Sequence, residues 1–539
     1  MQAPLGERVV LVYTARAFMT FSGKKIGFAL FAAAYVISAF LVFRRTAEEV
    51  RSDRVTIRFA QWQLEGTVRK AFDAIIARYE KLNPKVHVVH LPVPDTVYLP
   101  WVQTQMVGGT GPDIAEYVWI WPDIARRFQP LDEDVAKPNP YNKGTPLEGV
   151  TWRDTNVDGM TNDDSFIKSL SHYYGITVTS HVNRLVYNKA LLKEITGTEE
   201  TPTNYRQLVA LAAKIKAFAK EHNRNLVPLG NSQDTYPMLV YTVMGNMGSK
   251  LSERLDYRHR LQIYQVQTSS QYLQGDWSFE SPEMEAGLRL LAEVGDMSTP
   301  GFVQRKRATA LTDFASQRSV MVVMPSWEAS SLPVICPFEI GAFNFPYPRE
   351  DDPVYGKFVK SPFGEGPRIS VMGLYVNRLT KHRAEAIDFL QFMTSVEGSQ
   401  IFTNVSNWQP ATVGVNPSGF AGQFTQVTEG YAWMASYIGI TVDAEQFLRT
   451  RFSSLWNPNG GVRAFQDQVN AGLSLRIRDD LRREINSAVH NVQREDSIAA
   501  AAYYAIEPAQ RPDKVPLATV SNEAKIYQLD RVLATPAKP

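Results

Sequence analysis

The chain of 539 residues has a single cysteine, Cys336, and almost no net charge, with 57 Lys plus Arg against 55 Asp plus Glu. One cysteine cannot form a disulfide within the chain, and it excludes a CxxC metal or redox pair. The eight histidines never form HExxH, so the sequence offers no recognisable zinc centre. Balanced charge without a Lys/Arg block argues against nucleic-acid binding. A GxSxG elbow and a Walker A loop are also absent from the sequence, which removes the commonest signatures of hydrolases and nucleotide-binding proteins.

One uncharged apolar stretch runs from Ile26 to Phe43 (IGFALFAAAYVISAFLVF), between a Lys pair at 24–25 and an Arg pair at 44–45. At about 1.5 Å rise per residue, a helix of this length just crosses the hydrocarbon core of a membrane. The sequence therefore predicts a transmembrane anchor at 26–43. The basic residues before it favour a cytoplasmic segment at 1–25 and place the main body outside the cytoplasmic membrane.

Two alternatives for this stretch stay open at the level of sequence. A cleaved signal peptide needs small residues before the cleavage position, and no A-x-A pattern lies near Phe43. A buried core helix is the other alternative. No cysteine follows the stretch, which excludes a lipoprotein anchor. Met19 begins a segment, MTFSGKK, that is typical of a basic n-region, so translation from Met19 is a further expectation.

Alternating strand and helix patterns follow a short charged linker at 44–54. VTIRFAQW (55–62), VHVVHLPV (86–93) and DIAEYVW (113–119) are typical of strands, and the segments between them have helical periodicity. This order predicts an α/β fold with a mostly parallel sheet covered by helices. Helical patterns dominate 384–394 and 462–504, whereas the proline-punctuated end of the chain, 507–539, predicts an extended tail.

The order of eight motifs resembles the solute-binding proteins of carbohydrate ABC importers, the group that includes maltose-binding protein. The motifs cover roughly Val55 to Tyr504: FAQW, YEKLNPKVHV, MVGGTGPDI, YGITVTSHVNRLVYNKALL, TPTNYRQLVALAAKI, DFASQRSVMVVMPSW, PFEIGAFNFP, and the stretch from RISVMGLYVN to NWQPA. The resemblance implies two discontinuous α/β lobes that close on a ligand in the cleft between them. The crossings between lobes are expected near 175–183 and 368–374. The implied division is 55–180 with 368–410 for lobe 1, 183–365 for lobe 2, and 411–506 for a helical part that completes the lobes.

A sugar site needs flat aromatic surfaces for the C–H faces of the ring and a few polar groups for its hydroxyls. Aromatic residues stand at predicted strand ends, where open α/β sheets bind ligands. The expected ligand-binding residues on this basis are Trp62, Glu65, Tyr117, Trp119, Trp327 and Trp408. For each aromatic residue, packing in a partly buried core is the alternative.

The resemblance adds further expectations for the site. Tyr236 in QDTYP and Trp456 resemble stacking residues of the family, and Asp234 neighbours Tyr236. His181 occupies a position where related proteins often have a carboxylate or another polar group, so it is either a ligand contact or a hinge residue. A carboxylate that accepts two sugar hydroxyls supplies orientation as well as affinity.

An acidic loop, DTNVDGMTNDD, lies outside the family pattern. Asp154, Asn156 and Asp158, followed by a glycine, have the spacing of the first half of an EF-hand loop, with Asp163, Asp164 or a distant acid as a compensating ligand. The twelfth position is Ser165, which cannot supply the usual bidentate carboxylate. The sequence therefore leaves two alternatives, a structural calcium ion or a solvated loop held by Asx turns. No other cofactor is expected.

The function expected from the resemblance is the substrate-binding subunit of an ABC-type carbohydrate importer, not an enzyme. Its partners would be a sugar ligand, the permease subunits with their cytoplasmic ATPase, and the membrane through the N-terminal helix. A glycoside hydrolase is one alternative, because 55 acids guarantee that two carboxylates could face each other in a cleft. A membrane-tethered sensor or scaffold that binds a protein partner is the other.

Overall fold

The computed structural model describes residues 54–118, 120–121, 123–167, 170, 172–256, 265–365, 370–427, 442–505 and 518–534. Within these ranges, no helix combines the length and the apolar character that a membrane crossing requires. The predicted anchor at 26–43 lies outside the described residues, as does Trp119.

Two sheets form the framework of the protein. The strands are β1 (Val55–Gln61), β2 (Val86–Pro92), β3 (Ile114–Tyr117), β4 (Phe166–Ile167), β5 (His172–Tyr173), β6 (Gly175–Ser180), β7 (Asn183–Asn188), β8 (Val227–Gly230), β9 (Ser319–Pro325), β10 (Ile340–Phe343) and β11 (Ser370–Val376). Strands β4 and β5 form a separate hairpin-like pair beside the first sheet.

Helices cover both sheets. Those associated with the first sheet are Gly66–Leu82, Asp95–Val107, Ile124–Arg127, Asp132–Val135, Arg383–Met393 and Val396–Ser406. Those associated with the second are Lys189–Thr196, Tyr205–Glu221, Tyr236–Met247, Ser249–Leu255, Gln265–Gln274, Pro282–Met297, Arg307–Ala315, Leu332–Ile335, Gly419–Gly422, Val442–Phe452, Val462–Asn470, Leu473–Ala505 and Ala518–Ala534.

Lobe 1 is built on the sheet with strand order β2-β1-β3-β11-β6. β1 runs parallel to β2 and β3, while β11 runs antiparallel to β3 and β6. The helix Gly66–Leu82 buries Val68, Phe72, Ile75 and Tyr79 at helical spacing against this sheet. Lobe 1 therefore has its own core, which the two later helices at 383–406 complete.

Lobe 2 is built on the sheet with strand order β10-β7-β9-β8. β8 and β9 are parallel, whereas β7 is antiparallel to both β9 and β10. Because β11 is antiparallel to both of its neighbours, β6 runs the same way as β1, β2 and β3, and for the same reason β10 runs the same way as β8 and β9. The prediction of mostly parallel sheets is therefore confirmed, with one reversed strand in each lobe, β11 in lobe 1 and β7 in lobe 2. The reason is topological, because β7 and β11 each enter their lobe from the other lobe and so run away from the hinge, while their neighbours run toward it.

The chain crosses between the sheets at the end of β6, since Ser180 belongs to the first sheet and Asn183 to the second. It returns between Glu365 and Ser370, and it crosses again after the loop that contains Trp408. Crossing strands lie side by side at the hinge, where Ser370 pairs with Ser180.

The helices after residue 442 extend the core of lobe 2, into which Leu448, Phe452 and Phe465 are buried. The expectation of an extended tail is wrong for residues 518–534. They form a helix that packs on Leu473–Ala505, buries Leu529 and pairs Lys525 with Glu484 at 2.7 Å. The short helix has an apolar side that the weak periodicity of the sequence did not reveal.

Candidate functional site: the cleft between the lobes

A cleft of about 620 Å³ lies between the lobes, and both lobes contribute to its walls. Its lobe 1 wall comes from the carboxyl ends of β1 and β3 and from the start of β11, and its lobe 2 wall from the residues after β9 and the starts of two helices. The residues that line it are Trp62, Gln63, Leu64, Glu65, Asp95, Glu116, Tyr117, Val118, Asp164, Thr179, His181, Met238, Arg307, Trp327, Val371, Met372, Gly373 and Trp408.

Trp62 forms the aromatic surface of lobe 1. It directly follows β1, so the end of a buried strand carries a large ring to the sheet edge. The ring is half-buried and is held from behind by Tyr98, with centroids 5.1 Å apart, and by Trp121 at 5.3 Å. Such packing fixes the orientation of the indole before any ligand arrives.

Glu116 lies beneath this surface and is fully buried. Its carboxyl group accepts hydrogen bonds from the Trp62 backbone N–H at 3.1 Å and from Gln63 Nε2 at 2.7 Å. Burial raises the pKa of Glu116 to about 8, against an ordinary value of 4.5, although the two hydrogen bonds oppose the shift. The group therefore holds a proton near neutral pH and fixes the turn that carries Trp62.

Trp327 forms the aromatic surface of lobe 2, in the turn that follows β9. The His181 ring lies beside it with centroids 5.5 Å apart, and the Arg307 guanidinium lies 5.7 Å from its ring centroid. Arg307 Nε also pairs with Glu328 at 2.8 Å. These neighbours hold the indole in the wall of the cleft.

Acidic side chains surround the aromatic surfaces. Glu65, Asp95 and Asp164 line the cleft together with Arg307. Partial burial raises the pKa of Glu65, and the charge of Glu328 in lobe 2 raises it further. The cleft thus combines flat rings with oxygen acceptors, which is suited to binding a polyhydroxylated molecule.

Six of the ten residues expected at the site line this cleft, namely Trp62, Glu65, Tyr117, His181, Trp327 and Trp408. Tyr117 and Trp408 are only 1% and 7% exposed, so they support its walls more than they present a surface. His181 is largely buried, and burial lowers its pKa, which favours the neutral imidazole.

The structure places three expected residues elsewhere. Tyr236 and Trp456 pack against each other with centroids 5.4 Å apart, and Trp456 Nε1 donates to the Leu291 carbonyl oxygen at 2.9 Å. Neither residue lines the cleft. Asp234 accepts a hydrogen bond from the Arg307 backbone N–H at 2.8 Å, so it positions a cleft residue from behind.

Three of the four residues expected to hold calcium, Asp154, Asn156 and Asp158, form hydrogen bonds within the protein. Asp158 Oδ2 accepts from the Ser370 backbone N–H at 2.9 Å, and its Oδ1 accepts from the Met160 N–H at 2.9 Å. Asn156 Nδ2 donates to Thr177 Oγ1 at 3.1 Å, and Asp154 accepts from the Thr151 hydroxyl. Among the described residues, no group of three or more His, Cys, Asp or Glu side chains is placed to hold a metal ion. The contact between Asp158 and the Met160 N–H is an Asx turn.

Several lining residues escaped the sequence reasoning. Gln63 and Asp95 follow strand ends, so the rule that found Trp62 applies to them equally. Glu116 carries a second signal, because it is the one carboxylate inside the otherwise apolar run IAEYVW (114–119). Met238 and Arg307 stand at helix starts in lobe 2, where the sequence gives no sign that they face the cleft.

Two α/β lobes joined by crossing strands, with an aromatic and acidic cleft between them, define a two-lobed ligand receptor. Residues 74–426 match the bacterial extracellular solute-binding protein family. The match covers more than half of the chain, and the chain belongs to this family. It is accordingly a binding protein and not an enzyme, and its family acts outside the cytoplasm.

Individual relatives agree with the family assignment. The chain is 24% identical over 377 residues to the multiple sugar-binding protein of Streptococcus mutans, covering 68% of this chain and 78% of that protein. The apo form of RafE from Streptococcus pneumoniae superimposes with a TM-score of 0.53 at 17% identity, over 79% of this chain and 99% of RafE. A probable secreted solute-binding lipoprotein from Streptomyces coelicolor gives a TM-score of 0.54 at 15% identity, over 79% and 99% of the two chains. These structures share the fold.

Proposed function

We propose that this protein is the sugar-binding subunit of a carbohydrate ABC importer. The observation that carries the proposal is the pair of tryptophans, Trp62 and Trp327, that face one cleft from opposite lobes with carboxylates beside them. Aromatic faces bind the C–H surfaces of sugar rings, and carboxylates accept hydroxyl hydrogen bonds. The similarity to a multiple sugar-binding protein supports the same ligand class.

The arrangement suggests how the receptor works. A sugar that contacts Trp62 and Trp327 together binds the closed form better than the open form, and this differential affinity shifts the population toward closure. The closed form is then the one that the permease subunits and their ATPase recognise. Arg307 fixes the lobe 2 aromatic surface, because its guanidinium lies on the Trp327 ring and pairs with Glu328.

The test is a titration of tryptophan fluorescence on the chain from Ser52 onward, with a panel of mono- and oligosaccharides and analysis of each sugar afterwards. We expect saturable binding of an intact sugar. Breakdown of a ligand would favour the glycoside hydrolase alternative. If no sugar of the panel changes the fluorescence, the result would favour a scaffold that binds a protein partner.

We further propose that residues 26–43 anchor the protein in the cytoplasmic membrane with its main body outside. The uncharged length of this stretch and the basic residues before it support the proposal. A tether replaces diffusional search by a high effective concentration of receptor near the permease. Mass spectrometry of the mature protein is the test, and an N-terminus after Phe43 would contradict the anchor.

We propose that the receptor needs no cofactor. In the acidic loop, Asp158 connects to Ser370 at the start of β11, so the loop itself braces the hinge side of lobe 1. A structural calcium ion at Asp154, Asn156, Asp158 and Asp163 is the alternative from sequence, and a calcium titration distinguishes the two.

A further inference from the structure

A second cavity of about 260 Å³ lies in lobe 2 next to the cleft. We call it the annex, and it is lined by Asn183, Leu185, Leu239, Val323, Phe345 and Phe363, among others. His181 and Met238 line both the annex and the cleft. The two spaces therefore meet at these two side chains, which stand between them.

The annex has mainly apolar walls. Strands β7 and β9 supply Leu185 and Val323, the helix Tyr236–Met247 supplies Leu239, and aromatic rings close the far side. The charged groups in its wall, Arg184 and Glu365, are paired with each other at 2.6 and 2.9 Å. Apolar cavities of about 150 Å³ are known to bind benzene, so the annex has room for a ring of that size.

Buried polar atoms at the annex lack hydrogen-bond partners. Within the described part of the chain, His181 Nδ1, Asn183 Oδ1 and Arg184 Nε are buried and make no hydrogen bond. A buried polar atom without a partner destabilises a protein, as does an unfilled apolar cavity. An apolar group that enters the annex would fill the unfilled volume, and the polar part of the same ligand, in the cleft, would lie beside His181, which lines both spaces.

We propose that the annex is a second compartment of the ligand site and receives an apolar group joined to the sugar. The ligand class is a glycoside with an aryl or short alkyl substituent. The sugar lies between the tryptophans of the cleft, and its substituent passes between His181 and Met238 into lobe 2. This proposal rests on the proposed function, because it deepens the substrate class of the same site.

Matched glycosides test the proposal on the full chain. The probes are the phenyl and methyl β-glycosides of glucose, galactose and maltose, titrated by calorimetry alongside the free sugars. For the sugar that binds, we expect the phenyl glycoside to bind about tenfold tighter or more, because burying a phenyl ring removes apolar area from water. Equal affinities of the phenyl and methyl glycosides would overturn the proposal that the annex binds a substituent, and would leave the proposed receptor function unaffected.

The variant Val323→Phe tests whether the tighter binding of the phenyl glycoside arises in the annex. Val323 lines the annex and not the cleft, so a phenyl side chain there should fill the compartment. We expect the variant to lose the phenyl preference and to keep the affinity for the methyl glycoside. Val354→Phe is the matched control, since Val354 is an exposed valine of the same lobe. Retention of the phenyl preference in Val323→Phe would also overturn the proposal.

Thermal unfolding in the presence of benzene tests the annex independently of the proposed sugar-receptor function. We expect benzene to raise the unfolding temperature of the unmodified protein and to have a smaller effect on Val323→Phe. A failure of every sugar and glycoside to bind would overturn the sugar-receptor function and the glycoside class together. Benzene protection that Val323→Phe abolishes would then still identify the annex as an apolar binding site.

Discussion

Arg184 and Glu365 form a two-pronged ion pair, with Nη1 to Oε1 at 2.6 Å and Nη2 to Oε2 at 2.9 Å. Arg184 lies in β7, just after the first crossing, and Glu365 lies just before the return to lobe 1. The pair therefore joins the two chain segments that lead into the hinge. The Arg184 side chain is fully buried and that of Glu365 is 12% exposed, so each charge depends mainly on the other for compensation.

Removing one partner of this pair should be costly. We expect Arg184→Met to lower the free energy of unfolding by about 3 to 5 kcal/mol, because the Glu365 carboxylate stays buried without its partner. The double variant Arg184→Met with Glu365→Leu should recover most of that loss. Urea unfolding measures both changes.

Arg383 and Asp134 provide the control, because this pair at 2.6 Å has an arginine side chain that is 43% exposed. Arg383→Met should lower the free energy of unfolding by about 1 kcal/mol or less. Equal small losses for Arg184→Met and Arg383→Met would contradict the assigned importance of the buried pair.

The ring of Trp327 should contribute directly to sugar affinity. We expect Trp327→Ala to weaken binding by about 1 to 3 kcal/mol, because the stacking surface of lobe 2 is lost. Trp456→Phe is the control. That residue packs on lobe 2 and donates a hydrogen bond to Leu291, so its replacement should lower stability and leave affinity unchanged. Unchanged affinity in a folded Trp327→Ala protein would remove Trp327 from the site.

Glu116 should make stability depend on pH. Its pKa is raised to about 8 in the folded protein from an ordinary 4.5, so the folded state binds the proton more tightly than the unfolded state. The stabilisation is complete below about pH 4.5 and is lost as pH rises through about 8, at a rate on the order of 1 kcal/mol per pH unit.

Glu116→Gln removes this titration while retaining a side chain of similar shape. Urea unfolding of both proteins between about pH 4.5 and 8 should give a flatter dependence for the glutamine variant. Parallel pH profiles for the two proteins would show that Glu116 ionises normally.

Gly295 should not tolerate a side chain. A Cβ atom at this position would overlap Cδ1 and Nε1 of Trp456, whose ring is fixed against Tyr236 and Phe302. We expect Gly295→Ala to lower the free energy of unfolding by about 1 to 3 kcal/mol or more. Gly66→Ala, at a helical position with open space around the new Cβ, should change stability little. Equal stability of the two variants would place Trp456 elsewhere.

Calcium should have little effect on stability. The Asp158 carboxylate already accepts hydrogen bonds from Ser370, Met160 and Asn162, so a bound ion would have to displace them. We expect the same unfolding temperature in calcium chloride and in EDTA. A rise in calcium that Asp158→Asn abolishes would support the structural ion instead.

Local patterns in the sequence were sufficient to predict where the strands of lobe 1 lie and that Trp62 and Trp327 stand at strand ends. Alternation and helical spacing depend on which face of one element is buried, so a single segment contains the information. The direction of β7 and β11 could not be predicted in this way, because it depends on the lobe from which the chain enters each strand. No local pattern carries that information, so the sequence predicted mostly parallel sheets but not the one strand in each sheet that runs the other way.

The sequence by itself determined the α/β class, the order of motifs and the aromatic residues at strand ends. Only the tertiary structure decided which side chains meet. Glu116 lies under Trp62 because β1 and β3 are neighbours, and Trp456 joins Tyr236 because the C-terminal helices pack on lobe 2. Such contacts join residues far apart in the chain, and they follow from the packing of whole elements, which the composition of any one segment does not specify.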